Sequence, residues 1–244
     1  MCTVTIIAMD GGGFRLVTSR DESPVRPRAI APAWRGVVRG EGRGVARGMW
    51  PVDGLAGGTW VAAAEHGLAL TVLNGNPRPL PAPPAEAVRL SRGVLIPRLI
   101  GLADAVEAAD ALGRFELGRF EPFRLVGVDC AAGLRVVDSV WDGRVLTTVE
   151  LGAPVCFASS GLGDHLVECR LPLFEEVVVA AGATPASQDE FHQHRWADRP
   201  ELSVLMERAG ARTVSITRAQ VRPGPGGRFA VSMEHEAVGV GAAR

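Results

Sequence analysis

The sequence predicts an α+β protein of mainly antiparallel sheets, and three observations carry that class. Strand-like and helix-like stretches fall in segregated blocks instead of alternating. The strand blocks are joined by tight glycine-bearing turns at Asp10-Gly11-Gly12-Gly13, Glu65-His66-Gly67 and Asp142-Gly143. The chain of 244 residues is 47% hydrophobic and 22% charged, which supplies a filled core and excludes global disorder. No repeat or domain boundary interrupts it, so the reading is one domain over 1–244.

The elements follow in order. Cys2–Met9 is an apolar strand that turns through Asp10–Gly13 and returns as Phe14–Ser19, ending in Ser19-Arg20-Asp21-Glu22. That hairpin brings Arg20 and Asp21 back to where Cys2 begins. A proline-rich loop with Pro24, Pro27 and Pro32 comes next. Gly57–Ala64 and Leu68–Leu73 read as two strands buried on both faces, because their apolar runs are nearly continuous. Five prolines between Pro77 and Pro84 make an extended connector. A helix is expected from about Ala85 to Ile100, broken near Pro97. A second covers about Ala103–Leu112, with Leu102, Val106 and Ala109 on one face. Strands resume at Phe123–Val128, Leu134–Trp141, Val145–Glu150 and Val155–Ala158. A helix from about His165 to Ala181 places Leu166, Cys169, Leu173 and Val177 on one stripe, with Pro172 as a kink. Thr213–Val221 and Arg228–Met233 form a last hairpin.

Composition narrows the function classes. Net charge is −1, which gives no broad electrostatic case for nucleic acid or an anionic membrane. The basic side chains are all arginine, and Asn occurs only at 74 and 76. Both facts fit the codon bias of a GC-rich, bacterial genome, so the arginine excess is not by itself a phosphate-binding signal. Cys2, Cys130, Cys156 and Cys169 show no metal-ligand spacing. The expectation is a cytoplasmic protein with free thiols, no cofactor, no metal, no signal peptide and no membrane span. Its partner is a small-molecule amide or a hydrophobic ligand; oligomeric state is left open.

Cys2 is the most informative residue. Loss of Met1 would place a thiol and a free α-amine on one residue, a nucleophile with its own base. With Met1 in place the amine is an amide and the base is gone, which commonly costs about 10²–10⁴-fold in rate. Arg20 beside the thiol would favour the thiolate. Asp21 either orients the α-ammonium or serves as a turn residue paired with Arg20. Asn74 either donates its amide to an oxyanion or forms a turn with Gly75. Arg26 and Trp60 read as structural, and His192 and His194 as solvated residues of a polar segment.

The order Met1-Cys2, Ser19-Arg20-Asp21-Glu22, Gly57-Gly58-Thr59-Trp60, Leu73-Asn74 and Ala211-Arg212-Thr213 resembles the Asn-Arg-Asp-Glu family, the family of transport and Golgi organization protein 2. Ser19 stands where that signature has Asn. The family in turn is similar to the N-terminal-nucleophile hydrolases of the penicillin V acylase and bile salt hydrolase branch. This resemblance implies a four-layer αββα sandwich and a cysteine amidohydrolase. It implies Cys2 as nucleophile, with Arg20, Asp21, Asn74, Ser160 and Arg212 as the accompanying site residues. Ser160 stands where the branch has a second Asn. Arg212 would hold a substrate carboxylate, tether Asp21 or make a strand-end salt bridge. The alternative implied by the same family is a non-catalytic carrier of haem or a lipid-like ligand.

Overall fold

A computed structural model describes residues 2–38, 44–77 and 89–239. It contains two antiparallel sheets packed face to face, each covered on its outer side by helices. That is the four-layer αββα sandwich.

The first sheet holds β1 (Cys2–Ala8), β2 (Phe14–Glu22), β10 (Val155–Ser159), β11 (Glu207–Arg208), β12 (Ala211–Pro223) and β13 (Phe229–Ala237). Its order is β10-β1-β2-β12-β11, with β13 also on β12. The second sheet runs β3 (Ile30–Val38), β4 (Val45–Val52), β5 (Val61–Ala64), β6 (Ala69–Asn74), β7 (Phe123–Asp129), β8 (Arg135–Trp141) and β9 (Leu146–Leu151), in chain order. Helices α1 (Leu95–Leu99) and α2 (Ala105–Leu112) cover the second sheet, and α3 (Arg170–Phe174) and α4 (Pro185–Gln193) cover the first.

Period-two alternation sorts the residues of the central hairpin between layers. Cys2, Val4, Ile6, Phe14 and Leu16 enter the inter-sheet core with Trp60, Leu70, Val72 and Phe157. On the opposite face, Ile7 packs with Phe174, Val178, Phe191 and Val204 under the helices. The turn at Gly11–Gly13 requires glycine. All three have positive φ, and a Cβ at Gly13 would lie 2.1 Å from the Val221 carbonyl oxygen.

Several elements depart from the sequence expectation. Strands β3 and β4 occupy the region read as a proline loop and its sequel. Pro32 is tolerated because β3 is an edge strand of its sheet, where a missing N–H costs little. The helix expected over 85–100 is only α1, preceded by a 3-10 turn at Arg92–Val94. Pro97 sits in the first turn of α1, where its missing N–H has no intrahelical partner to lose. Residues 78–84 of the expected connector and the start of that helix lie outside the described residues.

In α2 the buried positions are Ala105, Ala108, Ala109 and Leu112, with Asp104 as the N-cap. The face is shifted from the expected Leu102–Val106–Ala109. The helix expected at 165–181 divides into a 3-10 turn, α3 and a π-helical turn at Glu175–Val179. Its buried side chains are Val167, Arg170, Phe174 and Val178, one position on from the expected stripe, while Leu166 and Leu171 are exposed. An arginine at the centre of the buried stripe hides the true phase.

Candidate active site

Cys2 opens β1 between two neighbours, facing Arg20 on β2 and Ser159 on β10. It is 7% exposed. Its backbone N–H donates to Ser159 Oγ at 3.3 Å. Burial pushes the thiol pKa up, and the Asp21 charge adds to this; the chain's terminal ammonium, then Arg20 and the Asp21 backbone N–H, which donates to the sulfur, oppose it without prevailing. The thiol is therefore protonated at neutral pH. Arg20 does favour the thiolate, as expected, but burial outweighs it, and most of the Arg20 charge is committed elsewhere. It pairs with Asp53 and, at 3.5 Å, with Glu22, and its guanidinium lies 4.5 Å from the centre of the Trp60 ring.

Asp53 organises this wall. Besides Arg20 it accepts from Arg26 Nε at 3.0 Å and Nη2 at 3.1 Å, and from the Leu55 and Ala56 N–H groups at 3.0 and 2.7 Å. Burial works against its charge, yet Arg26, the two N–H donors and Arg20 together hold its pKa below the ordinary value. Gly57-Gly58-Thr59-Trp60 then closes the wall by backbone contact. Thr59 N–H donates to the Gly93 carbonyl at 3.0 Å, and a Cβ at Gly58 would stand 2.7 Å from the Gly93 carbonyl carbon. This contact fixes the Ser91-Arg92-Gly93 turn against the site.

Asp21 is 3% exposed. Thr213 Oγ1 donates to its Oδ1 at 2.6 Å, and Arg170 Nη1 lies 4.0 Å from Oδ2. Burial raises its pKa against the opposing pull of Arg170, the chain's terminal ammonium and the Thr213 hydroxyl. Arg170 is itself 1% exposed and reaches Thr3 Oγ1, the Leu202 carbonyl and the Ser203 carbonyl at 2.6–2.9 Å. Asp21's ion-pair partner is thus Arg170, whereas Arg20 takes Asp53 and Glu22.

A cavity of about 190 Å³ lies in front of Cys2, and Arg20, Asp21, Asp53, Trp60, Asn74 and Arg92 share its lining. Asn74, at the end of β6, also lines a second cavity of about 430 Å³, together with Phe123, Arg124, Asp138, Phe157 and Ser159. Of the expected site residues, Cys2, Arg20, Asp21 and Asn74 therefore converge on one cavity. Ser160 and Arg212 line neither cavity. Ser160 Oγ accepts the Leu162 N–H, and its own N–H donates to Asp164. Asp164 also accepts from Asn76, so this cluster braces two loops. Arg212 stands opposite Glu22 and Glu207 in the sheet. Its neighbour Thr213, not Arg212, reaches Asp21. Ser159, the residue before Ser160, is the one that faces Cys2 across β1 and β10 and accepts its N–H.

Arg26, Asp53, Arg92, Ser159, Arg170 and Thr213 are site neighbours the sequence reading missed. Only the turn Asp53-Gly54 and the Gly57-Gly58 pair hinted that Asp53 was structurally fixed. His192 is fully buried, not solvated, and both ring nitrogens are engaged, by Thr5 and Ser19 hydroxyls at 2.8 and 2.7 Å. Burial, with Arg15 nearby, lowers its pKa to about 3. Among the described residues no group of three or more His, Cys, Asp or Glu is placed to hold a metal, and no helix is long and apolar enough to cross a membrane.

Two solved structures share this architecture. A single-residue variant of conjugated bile acid hydrolase from Clostridium perfringens superposes with a TM-score of 0.53, at 9% identity, over 100% of both chains. The Caenorhabditis elegans ortholog of N-acylethanolamine-hydrolyzing acid amidase superposes with a TM-score of 0.54, at 14% identity, over 89% of this chain and 92% of that one. The fold is that of an N-terminal-nucleophile hydrolase-like sandwich. No family model matches the chain, and no curated protein matches it.

Proposed function

We propose that the protein is an N-terminal cysteine amidohydrolase acting on a small amide or acyl compound. The observation that carries the reading is the placement of Cys2. The residue that bears both the thiol and the first main-chain nitrogen of β1 lines a cavity that Asn74 also lines. Both structural neighbours are named as hydrolases of acyl conjugates, which agrees with this chemistry. Fold likeness alone does not assign it.

The reaction starts after Met1 is removed. The α-amine takes the thiol proton as Sγ attacks the carbonyl carbon, so a neutral resting thiol is compatible with catalysis. The carbonyl electron pair moves to oxygen, and the Asn74 side-chain amide donates to that oxyanion, an interaction of about 3–4 kcal/mol in comparable sites. The C–N bond then breaks, and the α-ammonium gives its proton to the departing amine. Water attacks the thioester with the same amine as base, releasing the acid and the Cys2 thiol. Asp21, held by Arg170 and Thr213, stabilises the ammonium that forms when the amine takes the thiol proton.

The test is the intact mass of the purified protein before and after a limiting thiol probe, with the labelled peptide mapped. Loss of Met1 with selective labelling at Cys2, followed by amide cleavage that Cys2→Ala abolishes, is the expected result. Cys130 and Cys156 are pushed by burial to about 11 and 12, so they compete little at neutral pH. Retained Met1 with an inert Cys2 would overturn the mechanism. The second cavity keeps a second reading in play, a carrier for haem or another hydrophobic ligand, and ligand binding without turnover would select it.

A further inference from the structure

The charges around the Cys2 cavity are unequally committed. Arg20 and Arg26 share Asp53 and Glu22, two cations with two carboxylates. Asp21 is matched by Arg170. Arg92 is left. Its Nη1 donates to the Pro122 carbonyl at 3.0 Å, and its Nη2 is 3.8 Å from Glu121 Oε2, beyond hydrogen-bond range. Glu121 is 59% exposed, so water screens that pair, and it is not part of the cavity wall. The Arg92 side chain is only 21% exposed and lines the same cavity as Cys2.

The turn that carries Arg92 is braced. Ser91 Oγ accepts the Gly93 N–H, and the Gly58–Gly93 backbone contact holds the turn from the other side. A half-buried guanidinium with open N–H donors, held at the mouth of a small cavity, is a fork for an anionic oxygen group.

We infer that Arg92 binds a carboxylate, or a like-sized oxyanion group, on the amide substrate, which makes the substrate an anionic amide. This rests on the hydrolase reading of the same cavity. It differs in content, because it fixes the charge of the substrate.

Iodoacetate and iodoacetamide are nearly equal in size and differ in charge, so they read the subsite directly. Their alkylation rates at Cys2 are measured by peptide mass, as a ratio normalised to free cysteine. The expected iodoacetate preference is on the order of tenfold higher than in Arg92→Gln, is largely kept in Arg92→Lys, and shrinks as salt is raised. In parallel, Cys2→Ala is titrated with N-acetylglycine and with neutral N-methylacetamide by calorimetry. Binding of the carboxylate alone, lost in the Cys2→Ala/Arg92→Gln double variant, is expected.

An alkylation ratio equal in wild type and Arg92→Gln, or carboxylate binding that ignores Arg92, overturns the inference. If neither reagent reaches Cys2, the calorimetry decides. Arg92-dependent carboxylate binding without any amide cleavage would sink the hydrolase reading and leave the subsite standing. Cleavage of neutral and anionic amides at equal kcat/KM would do the reverse.

Discussion

Thr213→Val tests the link between the helical layer and the nucleophile. Valine keeps the shape of threonine, so no cavity opens and only the hydroxyl is lost. That hydroxyl donates to Asp21 Oδ1 at 2.6 Å and accepts the Met206 N–H at 2.8 Å; its approach to the Val204 carbonyl, at 3.4 Å, is weak. Both strong partners are buried. A hydrogen bond to a charged group is worth about 1.5–3 kcal/mol, and an orphaned buried N–H costs about 1 kcal/mol or more. Arg170, 4.0 Å from the other carboxylate oxygen, still supports the charge, which favours the lower half of the range. The expected loss is about 2–3 kcal/mol by urea unfolding with an unchanged m-value. Thr213→Ser keeps the hydroxyl and should lose under about 1 kcal/mol. Amide turnover should fall in the valine variant and recover in the serine one. A valine variant within about 0.5 kcal/mol of wild type, or a serine variant equally destabilised, refutes the claim that this hydroxyl sustains the buried Asp21.

Three further outcomes are expected. His192 is held neutral with a folded-state pKa of about 3, below its unfolded value, so the unfolded chain takes up the extra proton. Its contribution is fully present above the unfolded pKa of about 6.5 and is lost as pH falls toward 3; denaturant titrations should show this slope, and His192→Gln should flatten it. Asp53→Asn strips the charge from five donor contacts and leaves Arg20 and Arg26 under-compensated, so about 2–4 kcal/mol should be lost in unfolding. Because the Asp53 pKa is depressed, that stability is present above about pH 4 and disappears as pH falls through the folded value. Gly58→Ala forces a Cβ to 2.7 Å from the Gly93 backbone and should displace the Arg92 turn; Cys2 labelling should lose its charge preference before the fold loses its far-UV signature.

The hairpin was legible in the sequence because its signals are local. Apolar alternation and a run of glycines set β1 and β2, and their register follows from the turn, which places Arg20 opposite Cys2. What stayed hidden was whatever rests on buried polar side chains. The 165–178 stripe was read one position early because its true face contains Arg170, which looks like a surface residue until Thr3, Leu202 and Ser203 appear as its partners. Helix α4 escaped for the same reason. Its buried face includes Ser187, satisfied by the helix's own N-cap Thr184, and Gln188 and His192, satisfied by Thr5, Arg15 and Ser19 from other parts of the chain. Strands β3 and β4 are arginine-, glycine- and proline-bearing, and only pairing with β5 recruits them into a sheet.

The pair Arg20-Asp21 shows how one local pattern serves two layers. Adjacent strand residues point to opposite faces. Arg20 therefore turns to the inter-sheet side, where Asp53, Glu22 and Trp60 hold it against the cavity wall. Asp21 turns to the helical side, where Arg170 and Thr213 meet it. Because the strand pair ends here, Asp21 still reaches the cavity with its backbone N–H on the Cys2 sulfur. A swap of the two residues would preserve composition and net charge but put a carboxylate against Asp53 and a guanidinium against Arg170. Both pairs would become repulsive in a buried setting. The order Arg-Asp at this strand end is thus dictated by the two layers it separates, and the nucleophile between them inherits its position from both.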